Sequence, residues 1–267
     1  MLVDASPCLG TWSPFEPPQN ITSVNINNGQ AQPAVSADEL ELYFESMSNL
    51  YVARRQDRAS SFDPPALLTV LNTTTREVGP SPSADGTMIV FDSGRFADVD
   101  LFVAARHGAT FDPPTAIPGL STAGADEETP ALSYDGSLVV YAVAQPTNAD
   151  EDLFLAHGPA SVTPYAIIGT VPDVNQPGSI ETSPSLSADG LELFFQTDRS
   201  GSRNKIYVSR RPSASSDFGP PTVVAELDNG ADDTAPTISA SGANLYFGST
   251  RAGASGSTLW VATRTCQ

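Results

Sequence analysis

The stretch PSLSADGLELFF, residues 184–195, decides the fold because the same pattern returns throughout the chain. Its other copies follow one another at intervals of 47 to 54 residues and begin at Pro33, Pro80, Pro130 and Pro236. Repeats of this length with strand-like content are typical of propeller blades. The sequence therefore predicts an all-β protein, a five-bladed β-propeller built from four-stranded antiparallel blades.

Each unit contains signals for four short strands. The Pro-x-x-Ser core predicts the innermost strand, Asp-Gly a hairpin turn, and two apolar runs the second and third strands. The fourth strand is predicted to begin at Phe-x-Pro-Pro, as at 62–65, because prolines are tolerated on an outer edge. A sandwich of unrelated hairpins is the alternative, but it leaves the five-fold period unexplained.

The two ends of the chain are predicted to share one blade. The fifth unit lacks Phe-x-Pro-Pro, and this element stands instead at residues 15–18. We expect residues 8–22 to complete the last blade of one domain, 1–267, whose repeats start near residues 30, 77, 127, 181 and 233. Cys8 and Cys266 then lie where the termini pass, which predicts a disulfide; two unrelated thiols are the alternative.

The repeat resembles a known family. The element Pro-x-x-Ser-x-Asp-Gly-x-x-Leu-Tyr-Phe, followed by Ser/Thr-x-Arg and Asp-Leu-Tyr-Val, is similar to the WD40-like (PD40) repeats of TolB-type β-propellers. The resemblance covers residues 15–264 and departs from the pattern at Glu39 and Ser241, which occupy turn positions. It implies a bacterial, usually exported, binding or scaffold module.

Composition narrows the class of partner. Thirteen Lys and Arg against 31 Asp and Glu give a net charge of −18, which makes nucleic acid and anionic membranes poor partners. No apolar run is long enough for a membrane span. Residues 1–7 lack the pattern of a signal peptide, yet the predicted disulfide favours an oxidising compartment, so we expect a periplasmic or extracellular monomer.

One constellation of polar residues suggests a site. The position three residues before each repeat proline enters the innermost strand, so the ring should bring together Gln30, Glu77, Glu127, Glu181 and Asp233. Loops on the same face carry Arg95, Arg199 and Arg251, whereas the other two blades have Met47-Ser48 and Gln145 there. We predict ligand binding at this acidic channel mouth. The alternative is that the carboxylates pair with the arginines and only join blades.

Sequence motifs give little support for catalysis. There is no P-loop, nucleophile elbow or His-x-x-x-His, so the favoured function is a non-catalytic module that binds a peptide, glycan or cation. A glycoside-processing enzyme and a multivalent lectin remain alternatives, the first because two channel carboxylates could act as acid and base. No cofactor is required, although calcium could be held in blades two and three by Asp98, Asp100, Asp150, Glu151 and Asp152.

Overall fold

The computed structural model describes residues 8–26, 29–144, 150–158, 165–251 and 256–267, and shows five antiparallel sheets arranged as the five blades of a β-propeller. The fold class is as predicted. Innermost strands begin at or one residue before the predicted positions, and they are β2 (Gln30–Val35), β6 (Glu77–Pro82), β11 (Asp126–Leu132), β15 (Glu181–Leu186) and β19 (Asp233–Ile238). The described residues include a 3-10 turn at Thr22–Val24, and no helix among them could span a membrane.

The second and third strands complete the core of each blade. The second strands are β3 (Glu41–Ser46), β7 (Met88–Ser93), β12 (Leu138–Ala144), β16 (Glu192–Thr197) and β20 (Asn244–Ser249). The third strands are β4 (Asn49–Arg54), β8 (Asp100–His107), β13 (Glu151–His157), β17 (Lys205–Arg210) and β21 (Thr258–Thr263). Five apolar clusters, one between each pair of adjacent blades, form the hydrophobic core.

The outermost strands are short and differ from prediction at their starts. They follow the proline pair instead of including it, because a proline has no N–H to donate to the sheet. They are β5 (Ala66–Leu67), β10 (Thr115–Ala116), β14 (Ala166–Thr170), β18 (Thr222–Val223) and, in the last blade, β1 (Gln19–Asn20). A further short strand, β9 (Thr110–Phe111), pairs with β8.

The ring closes as the sequence predicted. Strand β1 pairs with β21, so the N-terminal segment is the outer strand of blade five, and Cys8 is bonded to Cys266. The two departures from the repeat meet at the junction of blades five and one. Ser241 and Asn244 donate to the Glu39 carboxylate, at 3.2 and 2.7 Å, so residues that break the repeat join its ends.

The Ser-x-Asp-Gly turns are stabilised by their own side chains. In blade four Ser187 Oγ donates to Asp189 Oδ1 at 2.6 Å, and the same carboxylate oxygen accepts the Leu191 N–H at 3.0 Å. The serine oxygen also accepts the Glu192 N–H at 2.9 Å. Equivalent bonds surround Asp38, Asp85 and Asp135, which assigns these aspartates a local structural role.

Candidate functional site

The five positions predicted as a ring are fully or almost fully buried at the entry of the innermost strands. Blade four shows the arrangement most completely. Glu181 Oε1 accepts the Thr197 hydroxyl at 2.7 Å and lies 3.0 Å from Arg199 Nη2, while Oε2 accepts the Gln176 N–H at 2.9 Å. The carboxylate is therefore bound by a hydroxyl, a guanidinium and a backbone amide, which offsets the cost of burying its charge.

Blades two and five repeat this arrangement. Glu77 pairs with Ser93 at 2.9 Å and Arg95 at 3.5 Å, and Asp233 pairs with Ser249 at 2.6 Å and Arg251 at 2.7 Å. In all three blades the guanidinium lies over aromatic rings of the second and third strands. It also donates to a backbone carbonyl of the preceding linker, at Leu71, Val174 or Leu227, and so connects two blades.

Blade three keeps the carboxylate and lacks its partners. Val143 occupies the position of the hydroxyl, and the position of the arginine is Gln145, which lies outside the described residues. Among the described residues, hydrogen bonds to the Glu127 carboxylate come from the Thr122 N–H, at 3.1 and 3.3 Å. Burial, reinforced by the charges of Asp100 and Asp126, raises the pKa of Glu127 to about 7.

Blade one has lost both charges. Gln30 replaces the carboxylate, and the turn residues Met47 and Ser48 stand where other blades have arginine. Both turn residues have positive φ, 52° and 61°. The Ser48 carbonyl accepts the N–H of Glu77 at 3.0 Å, so this turn contacts the start of blade two.

Of the acidic residues considered for calcium, Asp100, Glu151 and Asp152 lie in the third strands β8 and β13, and Asp98 and Asp150 lie in the loops before those strands. Asp98 accepts the Gly124 N–H and Asp150 the Gly178 N–H, each at 3.0 Å, so both bind linker backbone. Across the described part of the chain, no three His, Cys, Asp or Glu side chains are arranged to hold a metal ion.

The central channel is lined by the innermost strands. In each strand the first lining residue stands two positions after the residue predicted to form the ring. Its volume is about 100 Å³, and Gln32, Gly79, Thr129, Ser183 and Ala235 lie at the mouth end of its lining. All five have φ between 49° and 61°, because each innermost strand has a bulge at this point. Gln32 Nε2 donates to Ser183 Oγ at 3.0 Å, which links blades one and four and narrows the opening.

A second acidic group lies beside the mouth in blades one to three and was not predicted from the sequence. We call it the mouth pocket, and it consists of Glu45, Arg76, Asp92, Glu128 and Glu151. Arg76 Nη1 donates to Glu128 Oε1 at 2.6 Å, and Nη2 lies 3.3 Å from Asp92 Oδ1. Asp92 Oδ2 accepts the Thr129 N–H at 2.9 Å, which connects the pocket to the channel wall.

The carboxyl groups of the mouth pocket disfavour one another's charge. Burial, opposed by Arg76 and reinforced by Glu128 and Glu45, raises the pKa of Asp92 to about 7. Burial and the negative charge of Glu128 raise the pKa of Glu151 to about 7, and burial also raises that of Glu45. The mouth pocket thus contains one guanidinium, that of Arg76, and four carboxyl groups. Its negative charge is therefore not balanced by positive charge.

Gly79 is required for this geometry. It has φ of 61°, and a Cβ there would lie 2.8 Å from Thr129 Cα and 3.0 Å from Asp92 Oδ2. Glycine therefore lets blades two and three approach closely at the mouth.

A second set of arginines lies on the opposite face and was also missed. They lie at or just after the ends of the third strands, and each guanidinium is 4.4 to 5.6 Å from the ring centre of the Phe-x-Pro-Pro phenylalanine of its own blade, for Arg55, Arg106, Arg211 and Arg264. Arg264 donates to Glu192 of blade four, and Arg106 donates to Glu41 of blade one at 2.5 and 2.8 Å. Their regular spacing after the third strand was the available sequence signal.

Fold and site together define a five-bladed β-propeller with buried carboxylate–arginine pairs at three blade junctions and an acidic pocket beside the channel. Neither a protein-family model nor a curated protein sequence matches the chain. TolB of Agrobacterium tumefaciens is similar in structure, with a TM-score of 0.55 and 18% identity over 90% of this chain and 79% of that one.

Two enzymes have a similar fold. The catalytic domain of an α-L-arabinofuranosidase from Coprinopsis cinerea gives a TM-score of 0.58 at 13% identity and covers 97% of this chain and 98% of its own. A gluconolactonase from Xanthomonas campestris gives 0.54 at 11% identity, with coverages of 96% and 98%. Because TolB and two unrelated enzymes share the architecture, the likeness is one of fold.

Proposed function

We propose that this protein is a non-catalytic binding module that receives a cationic group of its partner in the mouth pocket. The observation that carries the proposal is the imbalance of one guanidinium, Arg76, among four carboxyl groups beside the channel. The three carboxylates of the blade junctions already have arginine partners and supply the rigid frame.

A bound cation would lower the free energy of the pocket for a simple reason. Asp92 and Glu151 each have a pKa raised to about 7, so both are partly protonated near neutral pH. The negative charges of their neighbours favour these protonated forms. An ammonium or guanidinium beside them favours the ionised forms, so binding should release protons and strengthen as the pH rises from 6 to 8. The net charge of −18 adds long-range attraction for positively charged partners.

Calorimetric titration with a lysine- or arginine-containing peptide tests this proposal. We expect affinity that falls with added salt, and loss of at least ten-fold in Asp92→Asn/Glu128→Gln. Asp217→Asn/Glu226→Gln, which removes two exposed carboxylates on blade four, is the control with a matched charge change and should bind as the parent does. Equal affinity in all three proteins would reject the mouth pocket as the site. Calcium that competes with the peptide would indicate a metal ligand instead.

Carbohydrate processing is a second candidate, and the raised pKa values favour it. A glycosidase needs a carboxyl group of raised pKa close to a second carboxyl group, and Glu151, whose pKa is raised to about 7, lies close to Glu128. Hydrolysis of any member of an aryl-glycoside panel, abolished by Glu151→Gln, would establish this function. No turnover across the panel supports the binding module.

We also propose a periplasmic or extracellular location and a monomeric state. The Cys8–Cys266 disulfide supports an oxidising compartment, since cytosolic disulfides are rare. Light scattering measures the oligomeric state, and thiol labelling of protein prepared from intact cells reports the redox state of the two cysteines.

A further inference from the structure

We infer that the partner is an extended peptide segment in which a basic side chain stands two residues from an apolar one, bound across blades one and two beside the mouth pocket. This inference rests on the proposed function and specifies its ligand. The basic side chain enters the mouth pocket, and the apolar one lies on a group of exposed apolar side chains that we call the apolar shelf, formed by Met47, Val70 and Phe96.

The apolar shelf is unusually exposed for its composition. Met47 is 73% exposed, Phe96 63% and Val70 50%, although the chain has a well-filled core between its blades. Exposed apolar side chains grouped on one face, with polar groups around them, mark interaction surfaces. Methionine and phenylalanine are suited to this role because they offer a large, adaptable contact area.

Hydrogen bonds connect the loops that carry Met47, Val70 and Phe96 to one another and to the mouth pocket. Ser48, next to Met47, accepts the N–H of Glu77 at 3.0 Å. Arg95, next to Phe96, donates to the Leu71 carbonyl at 2.8 Å, one residue beyond Val70.

The same loops reach the pocket directly. The Gly94 N–H donates to the carbonyl of Arg76 at 3.0 Å, and the Ser48 N–H donates to Glu45 Oε1 at 2.5 Å. Shelf and pocket are therefore parts of one surface.

Local stability does not explain the residues of the first shelf loop. Met47 and Ser48 form a two-residue hairpin turn in which both have positive φ, 52° and 61°. Such a turn favours Asn-Gly, because other residues are strained with positive φ. A methionine at its tip, largely exposed, offers contact area to a partner.

The mouth pocket offers an acceptor for the basic side chain. Asp92 is fully buried, and its Oδ1 receives no hydrogen bond from the described residues although Arg76 Nη2 is 3.3 Å away. A donor that entered beside Arg76 would complete the hydrogen bonding of this oxygen, and Glu128 and Glu151 supply the charge that a guanidinium or ammonium requires.

Charge and apolar area together select a peptide. A free metal ion or small amine would occupy the pocket without covering the shelf, and a neutral glycan would match neither feature. An arginine or lysine two residues from an aromatic or aliphatic residue presents the complementary pair, since side chains two positions apart in an extended peptide lie on the same face, about 7 Å from each other.

Two synthetic peptides test the inference: acetyl-Gly-Arg-Gly-Phe-Gly-amide and acetyl-Gly-Arg-Gly-Ser-Gly-amide, titrated into the disulfide-bonded protein. We expect the Phe peptide to bind five- to ten-fold more tightly. Met47→Asn/Ser48→Gly, which installs the residues that the turn favours, should fold at least as stably and lose most of this difference, without weakening the Ser peptide. Ile168→Ser removes an exposed apolar side chain on the outer edge of blade three and should change neither affinity.

The outcomes separate the two proposals. Equal affinity of the parent protein for both peptides, each still weakened by Asp92→Asn/Glu128→Gln, overturns the apolar shelf and leaves the cation site standing. A Phe preference that survives Met47→Asn/Ser48→Gly and Phe96→Ser also overturns the shelf. If neither peptide binds, the proposed function and this inference are both wrong.

Discussion

Blades three and four place the same residue type at the same point and give it opposite surroundings. Glu181 of blade four is bound by Thr197 and Arg199, with a backbone amide on its second oxygen. Glu127 of blade three faces Val143 where the hydroxyl should be, and burial raises its pKa to about 7. Position in the repeat therefore fixes where a carboxyl group lies, while the neighbouring side chains decide which hydrogen bonds and ion pairs its oxygens receive.

This difference shows that the role of a repeated acidic residue can be inferred only together with the residues that surround it in the same blade. Three blades have the full set of carboxylate, hydroxyl and arginine, and blade one has lost the acid and the arginine together. Blade three alone retains a buried acid without the hydroxyl.

Removal of the arginine from blade four should have the largest effect. Arg199→Met leaves Glu181 buried without its guanidinium and also frees the Val174 carbonyl, so we expect a loss of about 3–5 kcal/mol in the free energy of unfolding. Urea denaturation at pH 7 measures it. Glu181→Gln/Arg199→Met leaves no unpaired buried charge and should recover a large part of the lost free energy of unfolding. If Arg199→Met is as stable as the parent protein, the pair does not have the stabilising role assigned to it.

Opening the covalent closure should have the next largest effect. Cys8→Ser/Cys266→Ser removes a crosslink between residues separated by 258 positions, and we expect a loss of about 3 kcal/mol. Blade four lies within the chain and needs no such link, whereas blade five is assembled from both ends. Hydrogen exchange should therefore increase in β1 and β21 more than in β17 and β18, and uniform exchange would contradict the localisation.

The acid of blade three should respond to substitution in the opposite sense from that of blade four. The pKa of Glu127 is raised from 4.5 to about 7 in the folded protein. Its contribution to the free energy of unfolding is therefore complete below pH 4.5 and is lost as the pH rises through 7. Glu127→Gln should thus be neutral at pH 4 and stabilising by about 2 kcal/mol at pH 8.5.

Glu181→Gln is the matched control and should destabilise at pH 8.5, because it leaves Arg199 buried without its partner. Unfolding curves at the two pH values distinguish the variants. A destabilising Glu127→Gln at pH 8.5 would show that Glu127 has a partner as effective as that of Glu181.

The sequence predicted the features that the repeat itself carries. The Pro-x-x-Ser spacing predicts the blades, the displaced Phe-x-Pro-Pro predicts the closure, and Cys8 and Cys266 follow from that closure. The start of the outer strand was placed too early, because Pro64 and Pro65 cannot donate to the sheet. The pairing of Glu77, Glu181 and Asp233 with arginines was one of two stated alternatives.

The mouth pocket could not be predicted in this way. Its members occupy unequal positions in the repeat: Glu45 and Asp92 in second strands, Glu128 in an innermost strand, Glu151 in a third strand and Arg76 in a linker. Only the ring geometry brings blades one to three together at this point. A periodic pattern shows what the blades share, and this pocket depends on what they do not share.

The smallest effect is expected from giving blade three the hydroxyl that it lacks. Val143→Thr changes shape little and places an O–H donor where Ser93, Thr197 and Ser249 stand in the other blades. A hydrogen bond to a carboxylate favours its ionised form, so the pKa of Glu127 should fall. After the cost of burying the hydroxyl, we expect a gain of about 1 kcal/mol at pH 8.5 and little change at pH 4. The gain should disappear in Glu127→Gln/Val143→Thr, compared with Glu127→Gln. If Val143→Thr instead destabilises equally at both pH values, the hydroxyl does not reach Glu127, and blade three differs from blade four in backbone position as well as in side chains.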